Sequence, residues 1–408
     1  MTAAVARDAS VPHVFVVAGE ESGDRLGGAL VAALKRATGG RVRVEGIGGA
    51  HMAAEGVQSP FPLGELAIIG FASIPVRLPT ILAHIREAAD AAIAARPDVL
   101  VIIDSPDFTH RVAKRVRARA PSIPIVDYVC PSVWAWRPGR ARAMRAYVDH
   151  VLALLPFEPE AMRRLGGPPT TFVGHPLGEQ GARLRPSPDD ARRRASDPPL
   201  LLVLPGSRSA EIRRLAAVFG QAVGQAAARL GPLEVVVPAV PRLADTVRAA
   251  VAAWPVPARV VTETAEKDLA FRTARAALTK SGTSTLELAV AGIPMVAAYK
   301  VPLVEELVAR ILVNVPSAIL ANLVLGENIV PEFLQRACTP ENLVTALISL
   351  IGDTPERRRQ TAAFARLDAI MEIGRAVPSE RAAAVVLACA GALNQPEREP
   401  VAPLPPTG

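Results

Sequence analysis

Apolar residues in this chain cluster in short runs rich in Val, Ile and Leu, separated by longer stretches of helical period. Such runs stand at 13–17, 41–44, 99–103, 125–129 and 150–154, and again at 200–204, 233–237, 258–261, 276–278 and 295–299. They are too short for helices, and most lack the polar alternation of a half-exposed strand, which predicts strands buried on both faces. The stretches between them are rich in Ala, Leu and Arg; 25–36 carries Leu26, Leu30 and Leu34 on one face. Strand and helix in regular alternation predict parallel sheets covered by helices on both sides.

The alternation lapses once, at 179–198, a polar, charged and Pro-interrupted stretch that reads as a linker. The expected organisation is α/β, with two Rossmann-like parallel-sheet domains facing each other across a cleft. They run over 11–178 and 199–352, with closing helices at 353–393 that pack back on the first domain or on a partner subunit. Residues 1–10 and 396–408 have the composition of disordered tails. In such folds the ligand edge is the carboxyl end of the strands. Outside this scheme lies 63–82 (LGELAIIGFASIPVRLPTIL), apolar and broken by Pro75 and Pro79. It suits a surface dipping into lipid headgroups through Ile68, Ile69 and Phe71. A core helix or a dimer contact accounts for it equally well.

Composition narrows the class. In 408 residues, 50% are hydrophobic and only 4% aromatic, so there is material for two cores and these are aliphatic. Cys130, Cys338 and Cys389 are scattered without metal spacing, which argues for a reducing compartment and against disulfides or structural zinc. No signal-like N-terminal segment and no apolar run of about 18 residues is present, so a cytoplasmic chain with no membrane-spanning helix is expected. The net charge of +7 comes mostly from Arg. That is weak support for nucleic acid and is compatible with anionic substrates or an anionic membrane surface.

The loops after the predicted strands carry the candidate chemistry. The stretch 276–296 (AALTKSGTSTLELAVAGIPMV) reads as strand, tight loop, then helix N-terminus, an arrangement that favours an anion at Ser281, Gly282 and Thr283. Ser284 and Glu287 have capping-box spacing; Glu287 is either that cap or a carboxylate accepting from ribose hydroxyls. A similar loop follows 200–204, where Gly206, Ser207 and Arg208 precede a helix, and Arg208 is placed to neutralise a diphosphate. In the first half, Gly19, Glu20, Ser22, Gly23 and Asp24 form a loop lacking both G-x-G-x-x-G and a P-loop, with Ser22 or Asp24 as the plain N-cap alternative. Asp104 ends an apolar run, as a general base or as an Asx turn. Trp134, Trp136, Arg137, Arg140, Arg142 and Arg145 interleave aromatic and basic groups, which suits RNA bases, a phosphorylated sugar, or a buried Trp pair under a basic helix. No carboxylate pair looks like a divalent-ion site.

Taken in order, VAGEESGD, DSPDF, YVCPSVWAWR, LPFE, FVGHP, LPGSR, SGTSTLE and NLVLGENIVPEFLQ resemble lipid-A-disaccharide synthase, an inverting GT-B glycosyltransferase, over nearly the whole chain. The resemblance implies transfer of diacylglucosamine from UDP-2,3-diacylglucosamine to the 6-hydroxyl of 2,3-diacylglucosamine 1-phosphate, giving a β-1,6 disaccharide and UDP. It needs no cofactor or metal. It makes Asp104 the base, puts Arg208 and Asn322 in the UDP-sugar site and Glu287 on the ribose. It further implies work at the inner face of the inner membrane, no nucleic acid, and a possible homodimer. Gly49-Ala50-His51-Met52 departs from the family's usual Gly-Pro-Arg-Met, and Cys130 from a small hydroxyl residue. Two rivals remain: a GT-B enzyme with a non-lipid acceptor, and an RNA-binding module.

Overall fold

The buried runs pair into two sheets, each parallel throughout. The computed structural model describes residues 11–66, 74–302, 306 and 315–391. The first sheet holds β1 (His13–Ala18), β2 (Arg43–Ile47), β3 (Val99–Ile103), β4 (Ile125–Tyr128), β5 (His150–Ala153) and β6 (Thr170–Phe172), in the order β2-β1-β3-β4-β5-β6. The second holds β7 (Leu200–Leu204), β8 (Glu234–Pro238), β9 (Ala258–Val261), β10 (Ala276–Lys280), β11 (Met295–Tyr299) and β12 (Glu332–Leu334), in the order β12-β11-β10-β7-β8-β9.

All five residues of β3 are buried, as a strand covered on both faces requires. Leu100 and Ile102 pack with Phe15, Val17, Ile85 and Val112 on one face, while Val99, Val101 and Ile103 pack with Leu30 and Leu34 on the other. In the second sheet Leu202 and Ala277 face the helix Ser284–Val290, and Leu201, Val203 and Leu278 face the helix Ser209–Leu230. The helices Leu177–Leu184 and Pro188–Ala195 join the two units. The last helix, Pro378–Gly391, lies on the helix Glu21–Ala37, and its Ala382, Ala383 and Val386 complete the first unit's core. Arg36 and Glu380 add a surface ion pair at 3.5 Å.

Two strands escape the hydrophobic pattern. β6 (TTF) and β12 (EFL) are three-residue edge strands, too short to show a period. Nor do Pro75 and Pro79 break the chain as expected, because both lie within the helix Ile74–Ala95. Pro75 falls in its first turn, where no N–H is needed, and Pro79 is accommodated inside. Ile68, Ile69 and Phe71, and the tails 1–10 and 396–408, lie outside the described residues. No helix among the described residues is long and apolar enough to cross a membrane.

Candidate active site

At the end of β3 the chain turns through two left-handed residues, Asp104 (φ 54°) and Ser105 (φ 47°), into the helix Pro106–Arg119. The half-buried Asp104 accepts from the Ser105 backbone N–H through Oδ1 (2.8 Å) and lies 2.8 Å from the Ser22 hydroxyl through Oδ2. Ser22 Oγ is also 3.0 Å from Glu20 Oε1, so its single proton bridges one carboxylate at a time. Desolvation, and then the Asp104 charge, push the Glu20 carboxyl above its usual range. Gly19 makes this contact possible, since a Cβ there would stand 2.6 Å from Ser105 Cβ. Gly23 is pressed as closely against the end of β3, where a Cβ would stand 3.0 Å from the Ile103 carbonyl. Asp24 faces elsewhere. Its buried carboxylate accepts from the backbone N–H groups of Gly49, His51 and Met52, holding the short helix Ala50–Ala54. A cavity of about 1010 Å³ opens beside this loop, lined by Glu20, Gly49, His51, Val57, Phe61 and Leu63 among others.

In the second unit the two loops are built as one object. Glu211, 3% exposed, accepts from the backbone N–H groups of Ser207 (2.9 Å) and Arg208 (3.2 Å), and from Lys280 Nζ (3.1 Å). This buried pair joins the loop at Gly206 to the loop at Gly282. The Gly282 Cα hydrogen lies against the ammonium, where a Cβ would stand 3.1 Å from Nζ. The Arg208 guanidinium is largely exposed, 3.5 Å from Glu211. Ser281 Oγ donates to the Ala318 carbonyl (2.6 Å), and the Thr283 side chain is exposed.

The helix Ser284–Val290 begins without a side-chain cap, so the capping box expected of Ser284 and Glu287 is not formed. Glu287 is instead half-buried, its carboxyl raised by burial and drawn back down by Arg25 and Lys267. Asn322 is buried and fully engaged: its Nδ2 donates to Ser317 Oγ, the Val330 carbonyl and Glu332 Oε1, and its Oδ1 accepts from the N–H groups of Ile329 and Val330. It pins the segment behind Ser281 and presents no free polar atom of its own.

The two half-sites act on each other electrostatically. Burial raises both carboxyls, and Arg208 in the second unit offsets part of the rise at Glu20 while Arg25 in the first offsets part of that at Glu287. The tryptophans part company. Trp134 packs with Phe157 against the second unit's core and donates to the buried Glu158 (3.1 Å), whereas Trp136 is 37% exposed under the Arg137 guanidinium, 4.3 Å from the ring centre. Lys280 and Arg25 escape a sequence reading. The one signal for Lys280 was a charge closing an apolar strand beside a glycine loop. Among the described residues no group of three or more His, Cys, Asp or Glu side chains could hold a metal ion.

Two parallel six-stranded sheets with their loops at the carboxyl edges define the GT-B architecture. The fold matches that of MurG from Acinetobacter baumannii (TM-score 0.55, 16% identity, 92% of this chain and 99% of that one) and of the calicheamicin glycosyltransferase CalG4 (TM-score 0.58, 20% identity, 93% and 98%). The family described as lipid-A-disaccharide synthetase matches residues 14–386. Lipid-A-disaccharide synthases of Nitrobacter hamburgensis (59% identity, 94% of this chain and 97% of that protein) and Nitrobacter winogradskyi (60%, 92% and 94%) are similar along their whole lengths. The chain belongs to the lipid-A-disaccharide synthase family, and is thus a transferase that forms the lipid A disaccharide.

Proposed function

We propose that the reaction is a single inverting displacement in which Asp104 takes the proton of the acceptor's 6-hydroxyl. The freed oxygen attacks the anomeric carbon of UDP-2,3-diacylglucosamine, and the bond to the diphosphate breaks on the opposite face, releasing UDP. Such a step needs a base and a leaving-group stabiliser on opposite sides of the sugar. The observation that carries this reading is the Lys280–Glu211 pair, which locks two glycine loops into one cationic wall whose Arg208 acts on Glu20 of the other unit. Arg208 and Lys280 meet the departing diphosphate at the loops of Gly206, Ser207, Ser281, Gly282 and Thr283. Glu287 accepts from the ribose, while Asn322 holds the wall in place. On the acceptor side, Gly19, Gly23 and Ser22 set the position of Glu20 and Asp104, and Asp24 fixes the neighbouring loop.

Both substrates carry acyl chains; Phe61 and Leu63 line the large cavity, and the apolar stretch that includes Ile68, Ile69 and Phe71 follows them in sequence. This favours a peripheral enzyme at the inner face of the inner membrane, with the Arg excess drawn to anionic lipid; a homodimer through the C-terminal half is compatible with it. The test is incubation with UDP-2,3-diacylglucosamine and 2,3-diacylglucosamine 1-phosphate, following UDP and disaccharide. Arg208→Ala is expected to weaken donor use by about 10- to 100-fold in kcat/KM. Unchanged donor kinetics would remove Arg208 from the diphosphate.

A further inference from the structure

Asp104 also forms one wall of a second, much smaller cavity, about 130 Å³, with room for about four waters at roughly 30 Å³ each. That is too small for an acyl chain and suits a group of a few heavy atoms. The cavity's lining also includes Trp136, Arg137 and Arg140. The Arg137 guanidinium sits over the Trp136 ring and, among the described residues, has neither an ion-pair nor a hydrogen-bond partner. A stacked guanidinium is held in direction while its fork stays open to an oxyanion. Arg140 pairs with the exposed Asp107 at 3.5 Å.

Backbone geometry points to the same place. Of the seven non-glycine residues with positive φ among those described, Asp104, Val129 (φ 92°) and Arg137 (φ 54°) line this cavity, and Ser105 adjoins it. Left-handed backbone costs a residue with a side chain about 1–2 kcal/mol, and for β-branched Val129 it is a pronounced outlier. Such conformations concentrate where side chains must be aimed.

We propose that Arg137 and Arg140 bind the phosphomonoester of the acceptor, and so make the enzyme select a sugar 1-phosphate. The inference rests on the reading of Asp104 as base. The acceptor brings one alcohol to be deprotonated and one dianion to be neutralised; the small cavity is sized for the dianion at its two guanidiniums, and Asp104 on its lining borders the space left for the sugar. The Glu20–Asp104 pair repels the phosphate from the base end, so only one orientation of the sugar is favourable. The donor's diphosphate is a second source of the same anion, and the test separates the two.

The experiment measures kcat/KM for 2,3-diacylglucosamine 1-phosphate and for its dephosphorylated form in mixed micelles, in wild type, Arg137→Met, Arg140→Met and the double variant. Calorimetric UDP binding reports whether each variant is folded. Wild type is expected to prefer the phosphorylated acceptor by about 100-fold, each single variant to lose about 10-fold on that acceptor alone, and the double variant to use both alike. Arg137→Lys is expected to recover part of the preference. A wild type without preference, a double variant that keeps it, or a loss that falls on the KM for UDP-sugar would overturn the proposal. Asp104→Asn distinguishes the underlying reading, because it should lower both acceptors equally. Should it leave turnover intact while the Arg variants lose the preference, the base is wrong and the phosphate site stands.

Discussion

Lys280→Met retains most of the side chain's apolar stem and deletes one charge from the junction of the two glycine loops. Glu211, at 3% exposure, then loses the ammonium at 3.1 Å and keeps two backbone N–H donors, with Arg208 at 3.5 Å. Breaking a buried pair from one side costs about 3–5 kcal/mol. The remaining donors put this case at the low end, about 3 kcal/mol, or about 6–12 °C in Tm for a unit of this size. Removing both charges in Lys280→Met/Glu211→Gln leaves no uncompensated ion, so most of the lost Tm should return. UDP affinity should fall in the single variant and stay low in the double, because the diphosphate still lacks its cation. Thermal denaturation without ligand and calorimetric UDP titration together read these outcomes. A single variant melting within about 2 °C of wild type, or a double variant that regains UDP affinity, refutes the pair as the organiser of the donor wall.

Asp104→Asn is nearly isosteric and should lower kcat by about 10²–10⁴-fold with UDP binding unchanged; activity within a few-fold of wild type would disqualify it as base. Burial holds the Glu158 carboxyl at about 7, against hydrogen bonds from Leu155, Trp134 and Leu154. Its proton is therefore bound more tightly in the folded state. The associated stability is complete below its unfolded pKa of 4.5 and is lost as pH rises through about 7. The difference is about 3 kcal/mol, so urea denaturation between pH 5 and 8 should show wild type losing stability that Glu158→Gln does not lose; parallel curves would contradict this. Replacing Ile68, Ile69 and Phe71 by Ser should reduce flotation with anionic vesicles while Tm holds, and undiminished binding would dismiss the membrane contact.

Strands buried on both faces advertise themselves, which is why the eight interior strands lay open in the sequence; of the edges, β2 and β9 still showed a short run, and the three-residue β6 and β12 did not. Asp104 and the glycine loops were visible for a related reason: a parallel sheet presents the residues after its strands at one edge. What stayed hidden depends on three-dimensional docking. Lys280 looks like an ordinary strand end until Glu211, 69 positions earlier, closes on it. Arg25 looks like any helix-surface charge until the second unit brings Glu287 near. Asn322 and Asp24 carry motif identities that suggest ligand contact, yet each uses its polar atoms on backbone or neighbouring side chains, information absent from any one-dimensional pattern.

The polypeptide passes from the first unit to the second once, through 177–198, and returns once, ahead of Pro378. The two crossings lie side by side: Glu179 accepts from the Ser379 N–H at 3.1 Å, and Pro378 stands close against Gly174 and Gly178, so the pair acts as a single hinge. Clipping the chain before Pro378 would do more than shorten it. It would strip Ala382, Ala383 and Val386 from the floor beneath β3 and leave the first unit unsealed.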